Sequence, residues 1–119
     1  MEIKDKKRKS AILSALADDE MIKILNSTKN EAKSTLMIIK LHNISHSTAY
    51  RKIKWLLENG LLVVEKIIIS EDGKKFSLLR STVEAVHISY EDEVKIQIKG
   101  NVNKVQISAN HVFSMEDEL

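Results

Sequence analysis

The sequence predicts an α+β fold in which three to four short helices precede a β-hairpin and further antiparallel strands. Up to about residue 60, apolar residues recur at the spacing of amphipathic helices. Beyond that point β-branched residues are frequent, and apolar residues alternate with polar ones, as in strands. The three glycines of the chain, Gly60, Gly73 and Gly100, fall between these segments, where a helix end or a tight turn is expected. With 119 residues the chain has the length of one domain.

Each predicted helix begins after a residue whose side chain can cap its first turn. Serine and aspartate oxygens accept hydrogen bonds from the amide groups that a helix start leaves free. The first helix is expected to end near Ala17, the third at His42-Asn43, and the fourth to span 45–59 and stop at Gly60. The four predicted caps are Ser10, Asp18, Ser34 and Ser45.

The second half of the chain predicts five strands in two groups. The dipeptide Asp72-Gly73 is a strong hairpin turn, and it separates predicted strands at 61–70 and 75–82. Short helices joined by a turn of about three residues and followed by a hairpin are typical of a winged helix-turn-helix domain. Alternating apolar residues then predict a three-stranded meander with strands at 86–90, 94–98 and 105–109.

These elements divide the chain into four segments. Residues 1–9 form a predicted basic flexible arm, and residues 10–82 form the winged helix-turn-helix domain. The meander occupies residues 83–112, and it either packs on the same domain or mediates dimerisation. Residues 113–119 are a predicted acidic tail.

The composition excludes several classes of protein. The chain has no cysteine, so it has no disulfide, no thiolate metal site and no cysteine nucleophile. Its longest apolar runs, 61–64 and 67–69, are far shorter than the roughly 20 residues that cross a bilayer. No secretory signal is visible, so a cytoplasmic location without membrane association is expected.

The net charge of +2 hides an asymmetry along the chain. Residues 1–60 contain 12 Lys and Arg against 7 Asp and Glu, whereas residues 61–119 contain 7 against 10. Between Lys29 and Lys54 there are six basic residues and one acid, Glu31. This concentration of positive charge favours a polyanionic partner for the first half of the chain.

The predicted fourth helix carries a motif at each end. Ser45, Ser47, Thr48, Tyr50 and Arg51 form a Ser-x-Ser-Thr-x-Tyr-Arg start, and Leu56 or Leu57 with Gly60-Leu61-Leu62 forms the exit. Both closely resemble the recognition-helix segment of prokaryotic winged helix-turn-helix transcriptional regulators, in particular the ArsR-like regulators common in archaea. The resemblance extends over roughly residues 10–82, and it implies a homodimeric DNA-binding regulator. Metal-sensing members of that family use cysteine pairs, which are missing here, so no metal and no cofactor are expected.

The candidate DNA-binding residues lie on the predicted recognition helix and in the predicted wing. An α-helix fits the major groove, and residues near its N-terminus reach base edges most easily. Arg51 is the candidate for a bidentate contact to guanine, while Lys52 and Lys54 supply charge to phosphates. The resemblance implies that the wing lysines contact a flanking minor groove or its phosphates. The full set is His46, Ser47, Thr48, Tyr50, Arg51, Lys52, Lys54, Lys74 and Lys75.

Alternative interpretations remain open at this point. A lysine-rich helix face is also the ordinary solvated surface of a globular domain. A winged-helix adaptor that binds other proteins within a transcription or chromatin complex is the alternative function. Trp55 either covers the edge of the core or contributes to a dimer interface. His42 and His46 are four residues apart but lie on opposite sides of a turn, and no catalytic motif is visible, so we expect neither a metal site nor an enzyme.

Overall fold

A computed structural model describes residues 1–101, which form an α+β fold with four helices and two antiparallel sheets. The helices precede both hairpins, as predicted. In chain order the elements are β1 (Glu2–Ile3), α1 (Lys6–Leu16), α2 (Asp19–Ser27), α3 (Thr35–His42), α4 (His46–Glu58), β2 (Leu62–Ile69), β3 (Lys75–Ser81), β4 (Val83–Tyr90) and β5 (Val94–Gly100).

Three of the four predicted helix caps are confirmed. Asp18, Ser34 and Ser45 each accept a hydrogen bond from the amide three residues later, at the starts of α2, α3 and α4. At the end of α3, Asn43 adopts a left-handed conformation with φ of 53°. Asparagine tolerates that conformation better than most residues, so it ends one helix and turns the chain toward the next.

The prediction for the N-terminus was wrong. Helix α1 begins at Lys6 rather than after Ser10, because the Asp5 side chain accepts a hydrogen bond from the Arg8 amide and caps the helix five residues earlier. Residues 1–9 are therefore not a flexible arm in this structure. Ile3, the apolar residue of this basic segment, is only 2% exposed and pairs with Ile96 of β5.

Strands β2 and β3 form the predicted hairpin. Gly73 lies in its turn with φ of 83°, a conformation that glycine adopts without steric cost. The register shifts between Val64 and Lys66, which places Glu65 in a β-bulge. On the other side of β3, Lys33 and Leu79 exchange two backbone hydrogen bonds of 2.9 and 2.8 Å, so the loop before α3 adds a bridge to this sheet.

The second sheet has the order β1-β5-β4, and it packs on the same hydrophobic core as the helices. Two of the predicted meander strands are present as β4 and β5, and β5 pairs on its other side with β1. Ile96 is fully buried and belongs to one core cluster with Ile24, Ile38 and Leu56 from α2, α3 and α4. The predicted third strand at 105–109 and the predicted acidic tail lie outside the described residues.

A polar junction connects the two sheets to the loop after α2. The carbonyl of Lys29 accepts hydrogen bonds from Arg80 Nη1 at 2.9 Å and from Asn101 Nδ2 at 2.8 Å. Arg80 also donates to both carboxylate oxygens of Glu65, and Asn101 donates to the carbonyl of Ser81. The base of the first hairpin and the end of β5 thus share one carbonyl acceptor.

Among residues 1–101, none of the helices combines the length and the hydropathy that a membrane-spanning helix requires.

Candidate nucleic-acid interface

Helix α4 has a buried face and an outward face. Ala49, Ile53 and Leu56 lie in the core. Because successive residues of an α-helix are rotated by about 100°, the opposite face is formed by residues at positions 47, 51, 54 and 58. The outward stripe, defined here as Ser47, Arg51, Lys54 and Glu58, is exposed at all four positions.

Most of the candidate residues on α4 are accessible to a partner. Tyr50 is 53% exposed and His46 is exposed beside it on one flank of the outward stripe. Arg51 and Lys54 are exposed, and neither side chain forms a hydrogen bond or an ion pair within residues 1–101. Thr48 is half-buried on the other flank. The structure therefore brings His46, Ser47, Tyr50, Arg51 and Lys54 together as one accessible surface.

Lys52 does not belong to this surface, which corrects the prediction for it. Its ammonium group binds both oxygens of Asp18, at 2.9 and 2.7 Å, and Glu20 Oε1 at 2.8 Å. Only 12% of the Lys52 side chain is exposed. The reason is rotational, since position 52 lies about 100° from Arg51 and points toward the start of α2.

The pKa values at this ion cluster reflect its hydrogen bonds. Burial raises the pKa of Asp18, but the hydrogen bonds from Lys52 and from the Met21 amide outweigh burial, so its pKa lies below its usual value. The hydrogen bonds to Asp18 and Glu20 raise the pKa of Lys52 above its usual value, against the effect of burial. Both shifts favour the charged forms of Asp18 and Lys52.

An open groove of about 540 Å³ runs between α4 and the first two helices. Arg51, Lys54 and Trp55 form one side of it, and Ser14 and Asp18 line the other. Trp55 is half-buried and packs against the core cluster, in agreement with the core-edge interpretation. The remaining lining residues are Met21 and Glu58. Arg51 and Asp18 thus line the same groove.

The two hairpin lysines are exposed but lie near acidic groups. Lys74 Nζ is 4.0 Å from Asp72 Oδ2, and 77% of the Lys74 side chain is exposed. A hydrogen bond from the Ser70 hydroxyl lowers the pKa of Asp72, so this carboxylate remains charged beside the lysine. Lys75 is exposed without a partner among the described residues. The hairpin tip thus presents both signs of charge.

Apolar side chains on the hairpin show how far it projects from the core. Leu62 and Leu79, at its base, are 3% and 2% exposed, whereas Ile67 and Ile69 toward the tip are 59% and 64% exposed. The amide of Leu61 donates a hydrogen bond to the carbonyl of Leu56 in α4, and the amide of Thr82 donates one to the carbonyl of Leu61. These two bonds attach the base of the hairpin to α4. The hairpin therefore extends beyond the body of the domain.

Two features of this region were missed by reasoning from the sequence. The capping role of Asp18 was predicted, but its second role as a partner of Lys52 was not, because the two residues are 34 positions apart. Glu58 was not predicted as part of this surface, although its seven-residue spacing from Arg51 puts it on the same helix face. Helical spacing alone was enough to find Glu58, whereas the Asp18 contact requires the packing of α2 on α4.

Histidine and acidic residues do not form a metal centre in the described part of the chain. Residues 1–101 contain no group of three or more His, Asp or Glu side chains able to hold a metal ion. His42 has a buried Nε2 atom without a hydrogen-bond partner among these residues. Burial and the nearby charges of Lys23 and Lys33 lower the pKa of His42, so the neutral imidazole is favoured.

Comparison with known proteins adds no family to these observations. No protein-family model matches the chain, and no curated protein matches it significantly.

Proposed function

We propose that this protein is a winged helix-turn-helix transcriptional regulator that binds double-stranded DNA in a sequence-specific manner. In this proposal α4 is the recognition helix in the major groove, and the hairpin tip at residues 70–76 is the wing, placed on the flanking backbone or minor groove. The resemblance of the α4 segment to archaeal ArsR-like regulators supports this assignment. A cytoplasmic location and the absence of catalytic activity are part of the same proposal.

The observation that carries the proposal is the pair of unpartnered cations on the outward stripe. Arg51 and Lys54 are exposed, they are adjacent on one helix face, and no acidic side chain within residues 1–101 pairs with them. Arginine binds guanine through two hydrogen bonds, and lysine binds phosphate. Ser47 and His46, in the first turn of the same helix, are exposed, as is Tyr50. In this proposal the first two contact bases or phosphates, and Tyr50 contacts the sugar-phosphate backbone.

The arrangement around α4 supports the winged-helix assignment. Helices α3 and α4 are separated by Asn43, Ile44 and Ser45, the short turn expected of a helix-turn-helix. The β2–β3 hairpin follows α4 directly and, with the Lys33 bridge, forms a small antiparallel sheet. A homodimer is proposed because two recognition helices that bind successive major grooves supply more specificity than one.

One observation favours the alternative function of a protein-binding adaptor. Helix α3 exposes three large apolar side chains, Leu36, Met37 and Leu41, at 46%, 46% and 58%. Exposed apolar side chains in a cluster are typical of surfaces that bind another protein. An adaptor that uses α3 does not need Arg51 or Lys54.

A salt titration distinguishes the two functions. We expect the wild-type protein to bind genomic DNA fragments with an affinity that falls steeply with ionic strength, because cations that bind phosphates release counterions. Arg51→Ala should weaken binding to a selected duplex by about 1 to 3 kcal/mol and relax its sequence preference. Lys54→Met should weaken binding to all sequences and reduce the salt slope by about 1.

The matched control is Lys95→Met, which removes an exposed lysine from β5. It should leave the DNA affinity and the salt slope unchanged. Absence of DNA binding by the wild-type protein at low salt would reject DNA binding and favour the adaptor. Binding that is unaffected by Arg51→Ala would reject the assignment of that residue.

A further inference from the structure

We propose that Lys52 is a positioning residue for DNA binding, and that by occupying the carboxylates of Asp18 and Glu20 it keeps Arg51 free to contact DNA. This inference rests on the proposed function of α4. It assigns Lys52 a role without any contact to DNA, in contrast to the phosphate contact that its position in a basic motif predicts.

The contacts of Lys52 leave its ammonium group no capacity for a phosphate. The group has three N–H donors, and three carboxylate oxygens surround it, two from Asp18 and one from Glu20. All three distances lie between 2.7 and 2.9 Å, the range of strong charge-assisted hydrogen bonds. One positive and two negative charges make the cluster net negative.

The Asp18 carboxylate is held in place independently of Lys52. Asp18 caps α2 and accepts a hydrogen bond from the Met21 amide at 2.9 Å. Glu20 lies in the first turn of α2, where the helix dipole stabilises acidic side chains. Removal of the Lys52 charge therefore leaves Asp18 in position and deprives both acids of this counter-ion.

Arg51 is placed to become the replacement partner. Arg51 and Asp18 line the same groove, and the Arg51 side chain has no ion pair of its own within residues 1–101. Its guanidinium group carries five donors on a flexible chain, and carboxylates bind it in a bidentate manner. An Arg51 side chain that pairs with Asp18 is withdrawn from the outward stripe, and it can no longer bind guanine.

The test compares Lys52→Met with the triple variant Asp18→Asn/Glu20→Gln/Lys52→Met. Binding is measured on a labelled duplex that the wild-type protein has selected from a random-sequence pool. Lys52→Met should lower affinity about tenfold, the effect of diverting one charge-assisted contact of about 1.4 kcal/mol. The triple variant has no free carboxylate to capture Arg51, so its affinity should return to within about threefold of wild type, a residual of under 1 kcal/mol.

This rescue separates positioning from a merely structural role. A structural role predicts that the triple variant, which has lost every bond of the cluster, binds no better than Lys52→Met. That result, or an unchanged affinity of Lys52→Met, would overturn the proposal. Asparagine caps helices as well as aspartate does, so the triple variant retains the start of α2.

A second variant keeps the test decisive when Lys52→Met alone does not fold, which circular dichroism reports. Asp18→Asn/Glu20→Gln retains Lys52 and also leaves Arg51 without an acidic competitor. It should bind the duplex at least as tightly as wild type, and weaker binding would overturn the proposal. Failure of the proposed function is recognised separately, because in that case the wild-type protein itself selects no duplex.

Discussion

Arg51 and Lys52 are neighbours in the sequence and both are cationic, but their surroundings in the structure differ completely. Arg51 is exposed on the outward stripe, whereas the Lys52 side chain is 12% exposed and binds two carboxylates. The difference follows from a rotation of about 100° between successive helical residues. A count of basic residues therefore overstates the positive charge that α4 presents, and Glu58 reduces it further.

At the same scale, His42 makes the stability of the protein depend on pH. The pKa of the folded-state imidazole lies below its ordinary value of 6.5, because of burial and the charges of Lys23 and Lys33. The unfolded chain therefore binds this proton at higher pH than the folded chain does. Stability should fall as the pH drops through 6.5, and this contribution should level off once the pH is below the folded-state pKa.

Urea denaturation measures this effect between about pH 8 and pH 5, the range in which histidines titrate. His42→Gln should give a shallower loss of stability with acidification than wild type. His87→Gln, which removes an exposed histidine from β4, should follow the wild-type curve. Equal pH dependence in His42→Gln and wild type would contradict the role of His42.

At the scale of elements, the β2–β3 hairpin depends on a few polar contacts at its base. Its outer half exposes isoleucines rather than burying them, so the core stabilises only the part near Leu62 and Leu79. Arg80 links this part to the Lys29 carbonyl and to Glu65 in the bulge. Arg80 therefore connects the base of the proposed wing to the loop after α2.

Arg80→Met should destabilise the fold by about 3 kcal/mol, because it leaves the Glu65 carboxylate poorly solvated and without its partner. The Arg80 and Glu65 side chains are only 11% and 16% exposed, so water replaces the lost contact poorly. Glu65→Met/Arg80→Met should be less destabilised than Arg80→Met, since it removes the unpaired charge as well. If denaturant titrations show that the double variant is less stable than Arg80→Met, this prediction is wrong.

At the scale of the whole molecule, the start of the chain forms an edge strand of the second sheet. Glu2 and Ile3 pair with Gln97 and Ile96, and the Met1 carbonyl accepts a hydrogen bond from the Ile98 amide at 2.7 Å. Lys9 adds a hydrogen bond to the Val94 carbonyl at 2.8 Å. The first nine residues are thus attached to the β-sheet that follows the hairpin.

Substitution of Ile3 tests how much β1 contributes to the stability of the fold. Ile3→Ala should destabilise the protein by about 2 to 4 kcal/mol, the cost of deleting a buried isoleucine side chain. Glu2→Ala, at the exposed neighbouring position, should change stability by less than about 0.5 kcal/mol. If both variants have the same unfolding midpoint, β1 contributes little to the fold.

The features that could be predicted from the sequence are those that depend on neighbouring residues. The caps at Asp18, Ser34 and Ser45, the turn at Gly73 and the α4 boundaries follow from local hydrogen bonds and backbone preferences. The exposed candidates His46, Ser47, Tyr50, Arg51 and Lys54 follow from helical periodicity. The N-terminus was mispredicted because four basic residues in a row indicate a solvated arm, while Asp5 is a single capping residue.

What the sequence by itself determined is therefore the order of helices and hairpins and the accessible face of α4, since both depend on contacts within a few residues. The tertiary structure alone decided that Lys52 pairs with Asp18 and Glu20, that Ile3 completes the second sheet, and that Arg80 and Asn101 share the Lys29 carbonyl. These contacts join residues 32 to 93 positions apart. Their formation depends on how the elements pack around the common core, which local preferences do not specify.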